Sequence, residues 1–195
     1  MIKSYNVLCH NCIKIEANKI IYFDPFRIKE EFHDADYVFC THSHYDHFSP
    51  EDIRKVMKEN TKLIVTNDII ERVLGFVGKE NVITVEPNKE YEIDEIKFKT
   101  TYAYNQNKDF HKKENNWVGY IVDIEGQKVY VAGDTDNLEE LRDIKCDIAF
   151  LPVGGTYTMN YKEAAELTNC IDAKIKIPTH YGEIVGTKKD SLEFS

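Results

Sequence analysis

Cys40-Thr41-His42-Ser43-His44-Tyr45-Asp46-His47-Phe48 decides how the rest of the chain is read. Three of the seven histidines and one aspartate fall between positions 42 and 47. Imidazoles this close repel one another when protonated, and a bare surface loop gains nothing from them that other polar residues would not give. A metal ion gives the cluster a purpose, because neutral imidazole nitrogen and carboxylate oxygen are donors that Zn2+ and its first-row neighbours accept. The flanks fit a ligand loop. Tyr37-Val38-Phe39-Cys40 reads as a buried strand that delivers the chain to Thr41-His42, so the first ligand leaves a rigid element while the loop beyond wraps the ion. Ser49-Pro50-Glu51-Asp52 then opens a helix: Ser49 can cap, Pro50 suits the first helical position, and the acids favour the positive end of the dipole.

The four donors His42, His44, Asp46 and His47 do not complete a dinuclear site. Two cations about 3.5–4 Å apart need a bridging carboxylate and further terminal ligands. Working outward, three residues have the right setting. His180 follows a strand over 175–177, and Asp134 ends another within Gly133-Asp134-Thr135. His111 sits in the stretch 102–116, which is polar, long and aperiodic, and a loop of that length inside a compact domain is functional or disordered. Tyr37 to His42 and Lys174 to His180 both run strand–Thr–His, so two halves of the chain could each present a strand end to a shared cleft. His33, behind Phe32 in a charged loop, reads as surface.

The rest of the chain reads as alternating short elements. Strands are expected over 7–16, 19–23, 62–65, 82–85, 91–93, 96–101, 118–124, 129–132 and 146–153, and short helices over 67–74, 138–142 and 160–167. Glu125-Gly126 signals a tight hairpin, and Asn160-Tyr161-Lys162-Glu163 a capping box. A chain of 195 residues with 42% hydrophobic content predicts one domain over 1–195. The net charge of −9 speaks against a nucleic-acid surface, which would be basic. Five cysteines without framework spacing read as reduced thiols of a cytoplasmic protein, and Cys9-x-x-Cys12 within the first β-prone stretch reads as a strand–turn–strand. No apolar run approaches the roughly 18 residues of a membrane span, so no membrane partner is expected.

The order Thr41-His42-Ser43-His44-Tyr45-Asp46-His47, a lone distal His111, Gly133-Asp134-Thr135 and His180 resembles the metallo-β-lactamase superfamily. His10 before an apolar strand, Asp24-Pro25, the run Pro152 to Met159 and Thr179-His180-Tyr181-Gly182 make it similar, more narrowly, to the small hydrolases of the ascorbate-phosphate-lactonase-like group. The resemblance spans residues 5–186. It implies an α+β fold, a four-layer αββα sandwich, and two divalent ions, Zn2+ foremost, with Mn2+, Fe2+ or Ni2+ accepted by the same donors. It assigns His42, His44 and His111 to one ion, Asp46, His47 and His180 to the other, and Asp134 to the bridge. The implied activity is hydrolysis: a hydroxide held by the metal pair attacks an ester, lactone or phosphodiester of a small-molecule substrate, and Asp46 orients it and takes its proton. His10, Tyr104, Asn105, Thr156 and Tyr157 are candidates for supporting ligands or lining the cleft. The alternatives are a non-catalytic metal-binding or sensory module and a di-iron oxygen-reducing protein; the latter group has a glutamate where this chain has His44. After Gly182 the chain leaves room for two helical turns over 188–195, so the outer layer ends short or is finished by a partner chain, which allows a homo-oligomer.

Overall fold

The computed structural model describes residues 1–194. The chain divides into two compact units, Met1–Glu86 and Pro87 onward, and each carries one six-stranded sheet. Strands and short helices together give the α+β class expected from the sequence.

In the first unit, β1 (Ser4–Cys9) and β2 (Cys12–Glu16) form a hairpin whose turn is His10-Asn11. His10 therefore stands at a turn with φ +54°, as the strand–turn–strand reading of Cys9 to Cys12 expects. β3 (Ile20–Phe23) and β4 (Ala35–Phe39) follow, then α1 (Pro50–Val56), β5 (Met57–Thr66), α2 (Ile70–Leu74) and β6 (Val82–Val85). The sheet runs in sequence order, antiparallel from β1 to β3 and parallel from β3 to β6. Strands buried on both faces need near-continuous apolar runs, and Ile21-Tyr22-Phe23 and Tyr37-Val38-Phe39 supply them. Ser49 caps α1 by accepting from the Asp52 backbone N–H, with Pro50 in the first turn.

The second unit begins with an antiparallel meander of β7 (Glu90–Ile93), β8 (Ile96–Tyr102), β9 (Val118–Ile124) and β10 (Gln127–Val131). Glu125 and Gly126 turn at φ +52° and +83°, the double left-handed pair that matches strand twist in a two-residue hairpin. β11 (Lys145–Pro152) and β12 (Asp172–Thr179) then add in parallel to β10. The short helix expected over 138–142 is a single 3-10 turn, Glu139–Leu141. α3 (Tyr161–Thr168) opens on the expected capping box at Asn160 and buries Ala164 and Leu167 in a cluster with Leu138, Leu141, Met159 and Leu151. Burying a leucine in this way stabilises by about 1.5–3 kcal/mol. α4 (Lys188–Phe194) closes the described chain with the two turns that the sequence allowed, Ser195 lying outside the described residues. Among the described residues no helix is long and apolar enough to cross a membrane.

One rule places the chemistry in both sheets. Functional side chains follow the carboxyl ends of parallel strands, where open α/β-type sheets offer a crevice. Asp24 follows β3 and Thr41-His42 follows β4 in the first unit; Asp134 follows β10 and His180 follows β12 in the second.

Candidate metal centre

In the first unit, the parallel register pairs Phe23 with Phe39, so the residues just beyond the two strands lie side by side. Asp24 donates its backbone N–H to Phe39 O at 2.9 Å and adopts φ +45°, which swings its side chain under the histidine loop. The carboxylate is fully buried and accepts from the Thr41 backbone N–H (2.8 Å), the Thr41 hydroxyl (2.8 Å), the Asn11 amide (2.7 Å) and His47 Nδ1–H (2.7 Å). A carboxylate on Nδ1 fixes the His47 tautomer and leaves Nε2 as a lone pair, the arrangement of a metal-ligating imidazole. The sequence marks Asp24 only as part of Asp24-Pro25, one of the motifs of the resemblance, and its support of His47 is seen first in the structure.

The loop itself is tightly wound. His47 and Phe48 both donate backbone N–H to His44 O, at 3.0 and 2.8 Å, and Phe48 is fully buried beneath the Arg72 guanidinium. The His42 ring lies 4.0 Å from the His47 ring and 4.7 Å from the His44 ring, centroid to centroid. Asp46 Oδ2 lies 3.4 Å from His47 Nε2 and 3.2 Å from His10 Nε2. Donor atoms of His10, Asp46 and His47 thus fall within 4.8 Å of one another, as do those of His42 and His44. The hairpin turn at His10-Asn11 is what brings His10 to Asp46.

In the second unit, one oxygen of the buried Asp134 carboxylate meets two imidazoles: His111 Nε2 at 3.1 Å and His180 Nε2 at 3.0 Å. His180 stands at φ +59° immediately after Thr179. Gly154 makes that bend feasible, since a Cβ there would lie 2.2 Å from the His180 carbonyl oxygen. His111 belongs to the long loop between β8 and β9. Its Nδ1–H (3.0 Å) and its backbone N–H (3.1 Å) are both accepted by Asn105 Oδ1, so Nε2 carries the lone pair that faces Asp134. Trp117 meets the His111 ring edge-on, with centroids 5.5 Å apart.

The remaining sequence candidates divide. Asn105 supports His111, and the Tyr157 carbonyl accepts from the Asn105 amide at 2.9 Å. The Tyr157 ring packs edge-on against Phe110. Thr156 is exposed in a turn. The Tyr104 hydroxyl is taken up by Glu140 (3.4 Å) and Lys113 (3.3 Å), away from the ligands of its unit. His33 is exposed, as expected, bonded to Met57 O and Glu31. Burial pushes the Cys12 thiol up to about 12 and holds Cys40 well above the ordinary thiol range, so neither offers a thiolate at neutral pH. The cysteines are unbridged.

Nitrogen donors with locked tautomers and buried carboxylates fit first-row divalent ions in both units. Comparison with known proteins points the same way. The family model of the beta-lactamase superfamily domain matches residues 6–180. A UPF0173 metal-dependent hydrolase of Thermoplasma volcanium is 31% identical over 95% of this chain and 86% of its own length. A crystal structure from Parabacteroides distasonis is similar at TM-score 0.77 and 31% identity, covering 96% of this chain and 87% of that one. A Thermotoga maritima member of the metallo-beta-lactamase superfamily is similar in fold, at TM-score 0.65 and 22% identity over 98% of this chain and 84% of that one.

Proposed function

The chain belongs to the beta-lactamase superfamily, among the UPF0173 metal-dependent hydrolases, and from that premise we propose that it is a dinuclear hydrolase of small esters, lactones or phosphodiesters. In this reading His42, His44 and His111 hold one ion, Asp46, His47 and His180 the other, and Asp134 serves both. The observation that carries it is the single Asp134 oxygen approached by two imidazoles at 3.0–3.1 Å, the disposition a bridging carboxylate needs. Zn2+ is the first choice of metal for such donors. Five unbridged cysteines, three of them with thiol pKa values raised by burial, support a reducing, cytoplasmic setting.

When bound, a pair of divalent ions lowers the pKa of a water to near neutral and polarises a carbonyl or phosphoryl oxygen. The chain's own groups do the rest. Asp46, steadied by His10 at 3.2 Å, orients the attacking water and takes up its proton. Asp24 keeps His47 in the ligating tautomer, and Asn105 does the same for His111.

The test is metal analysis after loading with Zn2+, Mn2+, Fe2+ or Ni2+, followed by a panel of lactones, esters and phosphodiesters. Two equivalents and turnover of one class are expected. Asp46→Ala that retains metal should lower kcat by about 10²–10⁴-fold, the usual contribution of a positioned base. Turnover that survives Asp46→Ala unchanged overturns the mechanism, and a chain that binds no metal overturns the whole reading.

A further inference from the structure

The loop that carries His111 is tied down at a point beyond the ligands themselves. Asp136 lies two residues past Asp134 and is buried, 8% exposed. Its carboxylate accepts from the Gln106 backbone N–H at 2.9 Å, from the Asn105 amide at 3.0 Å, and from the Lys108 ammonium. Its own backbone N–H donates to Tyr104 O at 2.9 Å. One aspartate after β10 thus gathers Tyr104, Asn105, Gln106 and Lys108.

Asn105 is the link between that anchor and the imidazole. An amide side chain has two donor hydrogens and one oxygen with two lone pairs. Here all four are used: Oδ1 accepts from the His111 backbone N–H and from Nδ1–H, while Nδ2 donates to Asp136 and to the Tyr157 carbonyl. The amide cannot turn over without setting its donors against the two His111 N–H groups and its oxygen against two acceptors. Its orientation, and through it the His111 tautomer, is therefore fixed from the Asp136 end.

We propose that Asp136, charge-paired with Lys108, is a positioning residue that sets the His111 tautomer through Asn105 and so prepares His111 Nε2 to bind metal. The metal part of this statement rests on His111 being a ligand; the tautomer part does not. Asp136→Asn replaces an acceptor with an amide that offers its own donors to Asn105. Asn105 then gains by turning its oxygen toward residue 136, which strips the acceptor from His111 Nδ1 and releases the proton to Nε2.

The experiment uses the metal-free full chain labelled with 15N-histidine. Two-bond 15N–1H spectra read each ring's tautomer, with His111→Gln to assign the signal. The wild type should show His111 as Nδ1–H, and Asp136→Asn should move it toward Nε2–H while His47 is unchanged. A His111 that stays Nδ1–H in Asp136→Asn overturns the proposal, whatever the chain's activity. Zn2+ titration supplies the second readout: Asp136→Asn should weaken uptake by about 10–100-fold, the usual effect of losing a ligand's outer partner. Should Asp136→Asn fail to fold, Lys108→Met tests the same anchor by a smaller step. It should weaken Zn2+ binding several-fold relative to Lys113→Met, which removes a cation from the same loop but pairs with Glu140. Equal affinities for these two variants overturn the proposal. A wild type that binds no Zn2+ but keeps the Nδ1–H tautomer, lost in Asp136→Asn, refutes the dinuclear reading and upholds the relay.

Discussion

His42, His44, Asp46 and His47 arise from one wound loop, whereas His111, Asp134 and His180 arise from three segments far apart in sequence, and the two sets are held by different means. The compact set rests on one buried carboxylate. Asp24 takes donors from the loop's first residue, its last histidine and the β1–β2 turn. The dispersed set is supported at separate points. Asp134 meets its two imidazoles directly, His180 depends on a close backbone approach to Gly154, and His111 depends on an amide relay. A local cluster can be made rigid by one side chain behind it; a dispersed cluster must be made rigid piece by piece.

That difference can be broken by mutation. The largest effect is expected at the hub. Asp24→Ala strands several buried donors, each worth about 1–3 kcal/mol, so chemical denaturation should show a loss of at least about 3 kcal/mol. Gly154→Ala should come next, at about 1–3 kcal/mol, because the added Cβ would meet the His180 carbonyl oxygen at 2.2 Å and backbone must move. It should also weaken Zn2+ uptake, measured by chelator competition. If Gly154→Ala costs more than Asp24→Ala, the dispersed set has its own hub and the contrast fails.

Asn160→Ala sharpens the comparison from outside the site. It removes the α3 capping box, where Asn160 accepts from Lys162 and Glu163 backbone N–H groups. About 1 kcal/mol of stability should go while Zn2+ affinity stays at the wild-type value. The smallest effect belongs to Lys174, at the far end of β12 from His180. Its ammonium bonds Asp147 at 2.7 Å and holds that carboxyl below its ordinary range, with the Lys128 backbone N–H assisting. A carboxyl lowered by folding stabilises above its unfolded pKa, about 3.9, and loses that contribution as pH falls through its folded value. Denaturation midpoints of Lys174→Met and wild type should therefore differ slightly at pH 7 and converge in acid. A gap that widens on acidification contradicts the assignment.

The sequence made the compact set easy to read and the dispersed set harder. Candidate ligands spaced within six positions announce themselves, because their geometry is local. His180 and Asp134 stand out as candidates by their places after strands. The support that Asp24 gives His47 is not legible because it depends on β3 pairing with β4 in parallel register, a long-range fact that no local pattern encodes. Of the two roles the sequence leaves open for Asn105, supporting a ligand or lining the cleft, its hydrogen bonds to His111 favour the first, whereas Tyr104 points its hydroxyl to Glu140. The turn at His10-Asn11 is legible between Cys9 and Cys12; the left-handed φ of His10 is visible only in the backbone.

Trp117 has a consequence of its own. It is the sole tryptophan of the chain, 7% exposed, and it stands edge-on to the imidazole on which the dispersed set depends. All indole emission therefore originates beside His111. The molecule carries an intrinsic optical gauge of that one ring, and a change in the ring's charge or occupancy should register as a change in intensity without any label being attached.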